Sequence, residues 1–129
     1  MKLGILGGGF GARVSVNLDA IKHAEALGYD SVWTAEAYGS DCVTPLTWIA
    51  AQTSKIKLGT GIMQLCARTP TTTAMTAMSM DTVTDGRFLL GLGISGPQVV
   101  EGLHGQEFRR PVTRMREFVD VVRLACTGE

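Results

Sequence analysis

The five-residue pattern Leu-Gly-x-Gly-Ile occurs twice, at Leu58 to Ile62 and at Leu90 to Ile94, with room for one helix between the copies. Glycine inside a strand gives up packing and conformational entropy, so a repeated glycine pair marks backbone that must bend or lie close to another group. A strand, a helix and the same strand again is the unit of a parallel sheet, and such sheets take their ligands at the carboxyl ends of the strands. The repeat therefore predicts a parallel α/β fold with a ligand near Gly61-Ile62, where the first copy ends. Gly91 and Gly93 of the second copy are read more simply, as relief of crowding where helices pack on the sheet.

The rest of the chain supplies the same unit. Lys2 to Leu6 predicts a short buried strand, and Asn17 an N-cap for a helix carrying Ala20, Ile21, Ala24 and Leu27 on one face, closed by Gly28. Ser31 to Ala35 predicts the second strand. Thr44-Pro45 and Thr69-Pro70 each read as an N-cap followed by proline at the first helical position. The helix after the first buries Leu46, Ile49 and Ala50, and that after the second Ala74, Met75 and Met78; Met75, Met78 and Met80 read as core filler. Strand three is expected over Ile56 to Met63 and strand four over Arg87 to Ile94, entered through an Asp85-Gly86 turn. A helical turn near Val99 to Leu103 precedes a last helix after Pro111 that carries Met115, Phe118, Val119 and Val122.

Strands and helices alternating at roughly 30-residue intervals imply right-handed βαβ crossovers. Four such units fit in the 129 residues, and a closed (β/α)8 barrel needs roughly 200 or more. The expectation is the N-terminal half of a (β/α)8 barrel, residues 1–129 forming one half-barrel domain of a longer chain, with a small open sheet as the alternative. Its first and fourth strands would have open outer edges, so a homodimer or self-association through those edges is expected.

Lys+Arg and Asp+Glu are both 12, and this balance gives no field to attract nucleic acid or a membrane surface. Cys42, Cys66 and Cys126 are odd in number and match no metal spacing, which points to reduced thiols in the cytoplasm and no metal site. The run Gly7-Gly8-Gly9-Phe10-Gly11-Ala12 fits a dinucleotide fingerprint, with Glu36 at the end of strand two as the ribose-binding acid. The first helix starts too late for that reading, so an NAD-binding Rossmann-type domain is the lesser alternative. Glu36, Tyr38, Ser40 and Asp41 cluster after strand two, where a carboxylate relays protons, accepts hydrogen bonds or only caps a helix. His104 lies in the loop after strand four, a place suited to function, and His23 on a helix surface.

The stretches Tyr29 to Asp41, Ile56 to Gln64 and Gly86 to Gly102, the last with its Ser-Gly-Pro-Gln-Val-Val-Glu-Gly run, resemble the bacterial luciferase-like superfamily and, within it, the coenzyme F420-dependent oxidoreductases. That resemblance implies a (β/α)8 barrel holding a deazaflavin or flavin ring at the carboxyl end of its strands. It implies a non-prolyl cis peptide at Gly61-Ile62 behind the ring, contacts to the ring or its ribityl chain from Ser95 and Gly96, and Glu36 as the catalytic residue in the pocket above. The implied chemistry is hydride transfer between F420 and a small organic substrate. An FMN-dependent monooxygenase is the alternative, and a truncated, non-catalytic fragment is another. Sugar-phosphate-oxidising F420 enzymes carry a histidine one place after the acid, where this chain has Ala37, so their mechanism does not transfer.

Overall fold

The computed structural model describes residues 1–8, 13–36 and 38–128. Most of the glycine run, from Gly9 to Ala12, and Ala37 lie outside the described residues. The elements follow in the order β1 (Gly4–Leu6), α1 (Leu18–Ala26), β2 (Ser31–Thr34), α2 (Val43–Ala50), β3 (Lys57–Thr60), β4 (Met63–Gln64), a 3-10 turn (Leu65–Ala67), α3 (Pro70–Val83), β5 (Phe88–Leu89), β6 (Leu92–Gly93), α4 (Pro97–Val100) and α5 (Pro111–Thr127).

The main sheet is parallel and runs β1-β2-β3-β5, and β4 pairs with β6 in a second parallel ladder. Each successive strand is laid on the same side of the last. A Rossmann sheet instead reverses direction around its first strand; here β1 is at an edge, and α1 begins only at Leu18 behind its Asn17 cap. This winding overturns the dinucleotide-binding alternative.

Alternation along the strands separates two faces. Val32 and Leu58 point to the helices and join Ile21, Leu46, Ile49, Ile56 and Met80 in one core. A fully buried side chain of this size contributes about 1.5–3 kcal/mol. A second core of Leu65, Ala74, Phe118 and Val122 fills the space between α3 and α5. On the opposite face, register aligns Leu6, Trp33, Gly59 and Leu89 in one row across the sheet. Leu6 and Leu89 are exposed there, as the inner layer of a barrel is when only half of it is present.

Several sequence expectations change. Strands three and four are each split in two. In the first the break falls at Gly61-Ile62, whose peptide is cis, as the resemblance implies. In the second it falls at Leu90-Gly91, because the Thr60 hydroxyl accepts from the Gly91 N–H at 2.8 Å and donates to the Gly91 carbonyl at 2.9 Å, taking the place of ladder bonds. The glycines of the second copy do not relieve crowding by helices. A Cβ on Gly91 would stand 2.0 Å from the Thr60 carbonyl oxygen, and one on Gly93 2.6 Å from Ile62 Cδ1, so both make room for the end of the preceding strand.

Met75 and Met78 are exposed, not core, because Thr73, Ala74 and Met80 take the sheet-facing side of α3. Leu27 is exposed as well, lying at the C-terminal end of α1 beyond its buried stripe of Ile21 and Ala24. Thr44 is not the cap of α2. That helix opens at Val43, and the Asp41 carboxylate accepts from the N–H groups of Val43 and Thr44 at 2.8 and 2.7 Å. Thr69-Pro70 caps α3 as expected, with Thr69 Oγ1 accepting from the Thr72 N–H.

Candidate functional site

The carboxyl ends of β2 and β4 and the loop after α4 enclose an open pocket of about 350 Å³, lined by Glu36, Tyr38, Ser40, Gln64, Arg68 and His104, among others. Glu36 enters it from the end of β2, where its N–H donates to the Ile62 carbonyl at 3.1 Å. That bond seats the residue directly beside the cis peptide.

The Glu36 side chain is almost wholly satisfied. Arg68 donates to both carboxylate oxygens, at 2.6 and 3.0 Å, and the Gln64 N–H donates to Oε2 at 2.6 Å. The Cys42 thiol donates to Oε1 at 3.4 Å. Burial alone would raise the Glu36 carboxyl, but the Arg68 fork and the Gln64 N–H outweigh it and hold it below the usual carboxylate range. Burial, with the Glu36 charge beside it, pushes the Cys42 thiol up and keeps it a protonated donor. The result is a bound, ionised carboxylate that anchors its neighbours.

Gln64 links the two halves of the pocket. Its Nε2 donates to the Glu36 carbonyl at 3.0 Å, and its Oε1 lies 3.1 Å from His104 Nε2. Beyond it, Gln106 Nε2 donates to the Cys66 carbonyl at 2.7 Å and Arg114 donates to Gln106 Oε1 at 2.7 Å.

Of the residues singled out from sequence, Glu36, Tyr38, Ser40, Asp41 and His104 line this pocket. Asp41 does so while capping α2, the plainer of its two readings. His23 is on the surface. Gly61, Ile62, Ser95 and Gly96 are not among the residues that line the pocket, and Ile62 touches it only through its carbonyl, which accepts from the Glu36 N–H. Ile62 packs over Gly93, and two residues further Ser95 adopts a left-handed backbone (φ 59°) before Gly96 starts α4. Arg68 and Gln64 escaped sequence reasoning. Arg68 carried a signal, as the sole charged residue between Lys57 and Asp81, placed at a strand-to-helix junction opposite Glu36.

Residues 5–129 match the luciferase-like monooxygenase family. The chain belongs to that family. A protein of Mycobacterium tuberculosis that bears the name "Putative coenzyme F420-dependent oxidoreductase" is 51% identical over 130 residues, covering 100% of this chain and 38% of the relative. The coenzyme F420-dependent tetrahydromethanopterin reductase of Methanopyrus kandleri superposes with a TM-score of 0.74 at 26% identity, over 95% of this chain and 39% of the reductase. The oxygenating constituent of 3,6-diketocamphane monooxygenase from Pseudomonas putida, solved with FMN, superposes at 0.78 and 18% identity, over 95% of this chain and 38% of that one, a likeness of fold alone.

The chain thus spans about two fifths of the length of the proteins it matches. Its four units are the N-terminal half of a (β/α)8 barrel of the luciferase-like type. Two of these similar proteins are named for dependence on coenzyme F420, and the family itself is described as luciferase-like monooxygenases. Among the described residues no helix is long and apolar enough to cross a membrane, and no group of side chains is suited to hold a metal ion.

Proposed function

We propose that this half-barrel supplies the cofactor-facing strand ends of an F420-dependent oxidoreductase that moves a hydride between the deazaflavin and a small organic substrate. The observation that carries the reading is the 51% identity, over the whole chain, to a protein named for that coenzyme. F420, when bound, supplies the hydride chemistry.

The residues fit a flat ring. Gly61 leaves backbone exposed at the sheet end, Ile62 is half-buried over a glycine with no side chain to displace it, and Glu36 is hydrogen-bonded to the Ile62 carbonyl. Gly61 and Ile62 would back the ring, and Ser95 and Gly96 would lie along it or its chain. Glu36 acts by position. With both oxygens engaged and the charge held by Arg68, it fixes Gln64 and Arg68 at the pocket wall and does not exchange a proton itself.

The outer edges of β1 and β5 are read as the seams where further strands close the barrel, and self-association of this chain through them is expected when those strands are missing. FMN is the second reading, favoured by the fold shared with the FMN-bound monooxygenase. Titration of the purified chain with F420 and with FMN, followed by ring fluorescence, separates the two. Saturable binding of F420 and weaker binding of FMN is expected. Binding of FMN alone moves the assignment to the monooxygenases, and binding of neither removes the cofactor from this chain.

A further inference from the structure

His104 is held at both ends. Its backbone closes the loop after α4, with the N–H groups of Leu103 and His104 both donating to the Val99 carbonyl at 3.1 Å and that of Gly102 to the Gln98 carbonyl at 3.1 Å. A Cβ on Gly102 would lie 2.5 Å from the Gln98 oxygen, so the tight path of this loop is set by the glycine. The side chain is held by Gln64.

The direction of that side-chain hydrogen bond follows from Gln64's other partners. The Glu36 carbonyl only accepts, so the atom of the Gln64 amide facing it is the nitrogen, and the oxygen faces His104. The Cys66 thiol, 3.5 Å from the same oxygen, is a donor and agrees with this. Facing an amide oxygen, His104 Nε2 must carry a hydrogen. In the neutral ring Nδ1 is then left with a lone pair. Among the described residues Nδ1 has no hydrogen-bond partner, on a half-buried ring that lines the pocket. The charged groups around it are already engaged, Glu36 with Arg68 and Asp41 with the start of α2.

We propose that His104 contacts the substrate, its Nδ1 accepting a hydrogen bond from a hydroxyl or amine of a small organic molecule seated against the Glu36–Arg68 wall. The proposal rests on reading this pocket as the substrate site. Buried neighbours fix which nitrogen is free, so no reorientation is needed when a donor arrives.

The test uses the chain with isotope-labelled histidine and needs no cofactor, so its outcome is independent of the F420 titration. The chain has 2 histidines, and His23→Gln assigns their signals. Two-bond proton–nitrogen correlation spectra are expected to show His104 protonated at Nε2. On titration with phenol the Nδ1 resonance should move, and with anisole, which has no hydrogen to donate, it should stay. His104→Phe, which keeps a planar ring but loses both nitrogens, should weaken phenol binding roughly two- to tenfold, with the fold checked by circular dichroism. A ring protonated at Nδ1 overturns the proposal. So does an Nδ1 that answers both ligands alike or neither, since the histidine then serves only to pin Gln64.

Discussion

Arg68 meets Glu36 fork to fork, Nη2 at 2.6 Å from Oε1 and Nη1 at 3.0 Å from Oε2, with the Glu36 side chain 5% and the Arg68 side chain 17% exposed. Glu36 follows β2 and Arg68 follows the 3-10 turn after β4, and the two are separated by 32 positions in the chain. Their pairing is what turns two strand ends into one pocket wall. A guanidinium matches a carboxylate with two parallel bonds, which an ammonium cannot reproduce.

Removal of one partner should therefore cost more than removal of both. Arg68→Met leaves a buried carboxylate without its counter-charge and should destabilise the chain by roughly 3–5 kcal/mol. Adding Glu36→Gln to that variant should recover much of the loss, and Arg68→Lys should fall between wild type and Arg68→Met. Urea denaturation measures all four. Equal stability of the single and double variants would show that the pair does not hold this wall together.

The same pair gives the chain an acid limit. Burial raises the Glu36 carboxyl, but its hydrogen bonds from Arg68 and Gln64 bring it below its ordinary value of 4.5. Glu25 and Asp41 are also lowered, in each case because backbone N–H groups outweigh burial. A carboxyl with a lower folded pKa binds fewer protons in the folded than in the unfolded state, so stability rises with pH across this range. Thermal melts should be flat in this contribution above ~pH 5 and fall as pH passes below the ordinary carboxylate values. Glu36→Gln should flatten the acid slope, and an unchanged slope would remove Glu36 from the account.

The parallel order of strands and helices was legible because it is written in local signals. Asn17, Thr69-Pro70, Asp85-Gly86 and Pro111 each mark a boundary by the chemistry of one or two residues, and the structure keeps all four. What failed was long-range. The splitting of strands three and four depends on Thr60 bonding Gly91, 31 residues away, and the role of Asp41 on where the loop delivers its carboxylate. The methionines of α3 share a periodicity that does not say which side faces the sheet, and small Ala74 and Thr73 took that side. At the site, Glu36 and His104 were visible as polar residues at strand ends. Of the partners that define them, Gln64 left no mark, and Arg68 showed only as an isolated charge whose pairing with Glu36 depends on how the strand ends are brought together.

Gly59 offers a direct test of the repeated glycines. A Cβ there would stand 2.3 Å from Trp33 Cε3, with the indole Nε1 held by Ser31 Oγ at 2.8 Å so that the ring cannot simply swing aside. Gly59→Ala should thus be destabilising by roughly 1–3 kcal/mol, as overpacked substitutions are. In a Trp33→Val background the same substitution should cost little, a coupling between neighbours that a double-mutant cycle reads as non-additivity. Additive effects would mean that Gly59 is needed for its backbone and not for the indole.

At the opposite end of the sheet, Arg87 ties together the segments that start β3 and β5. Its guanidinium donates to the carbonyls of Thr84, Ile56, Ala50 and Thr53 at 2.9 to 3.3 Å, and to the Thr53 hydroxyl at 3.3 Å. Beside it, Glu25 Oε1 accepts from three successive N–H groups, those of Ser54, Lys55 and Ile56. The loop between α2 and β3 is in this way clamped through its carbonyls by a cation and through its N–H groups by an anion. Lysine has the charge but not the planar fork, so Arg87→Lys should strand several carbonyls and cost roughly 2–3 kcal/mol. Glu25→Gln keeps an acceptor and should cost less, about 1 kcal/mol. Because this clamp lies at the amino ends of the strands, away from the pocket, both variants should lower the melting temperature while leaving the affinity for F420 of the folded protein unchanged. A loss of cofactor affinity at full stability would mean that the two ends of the sheet are coupled.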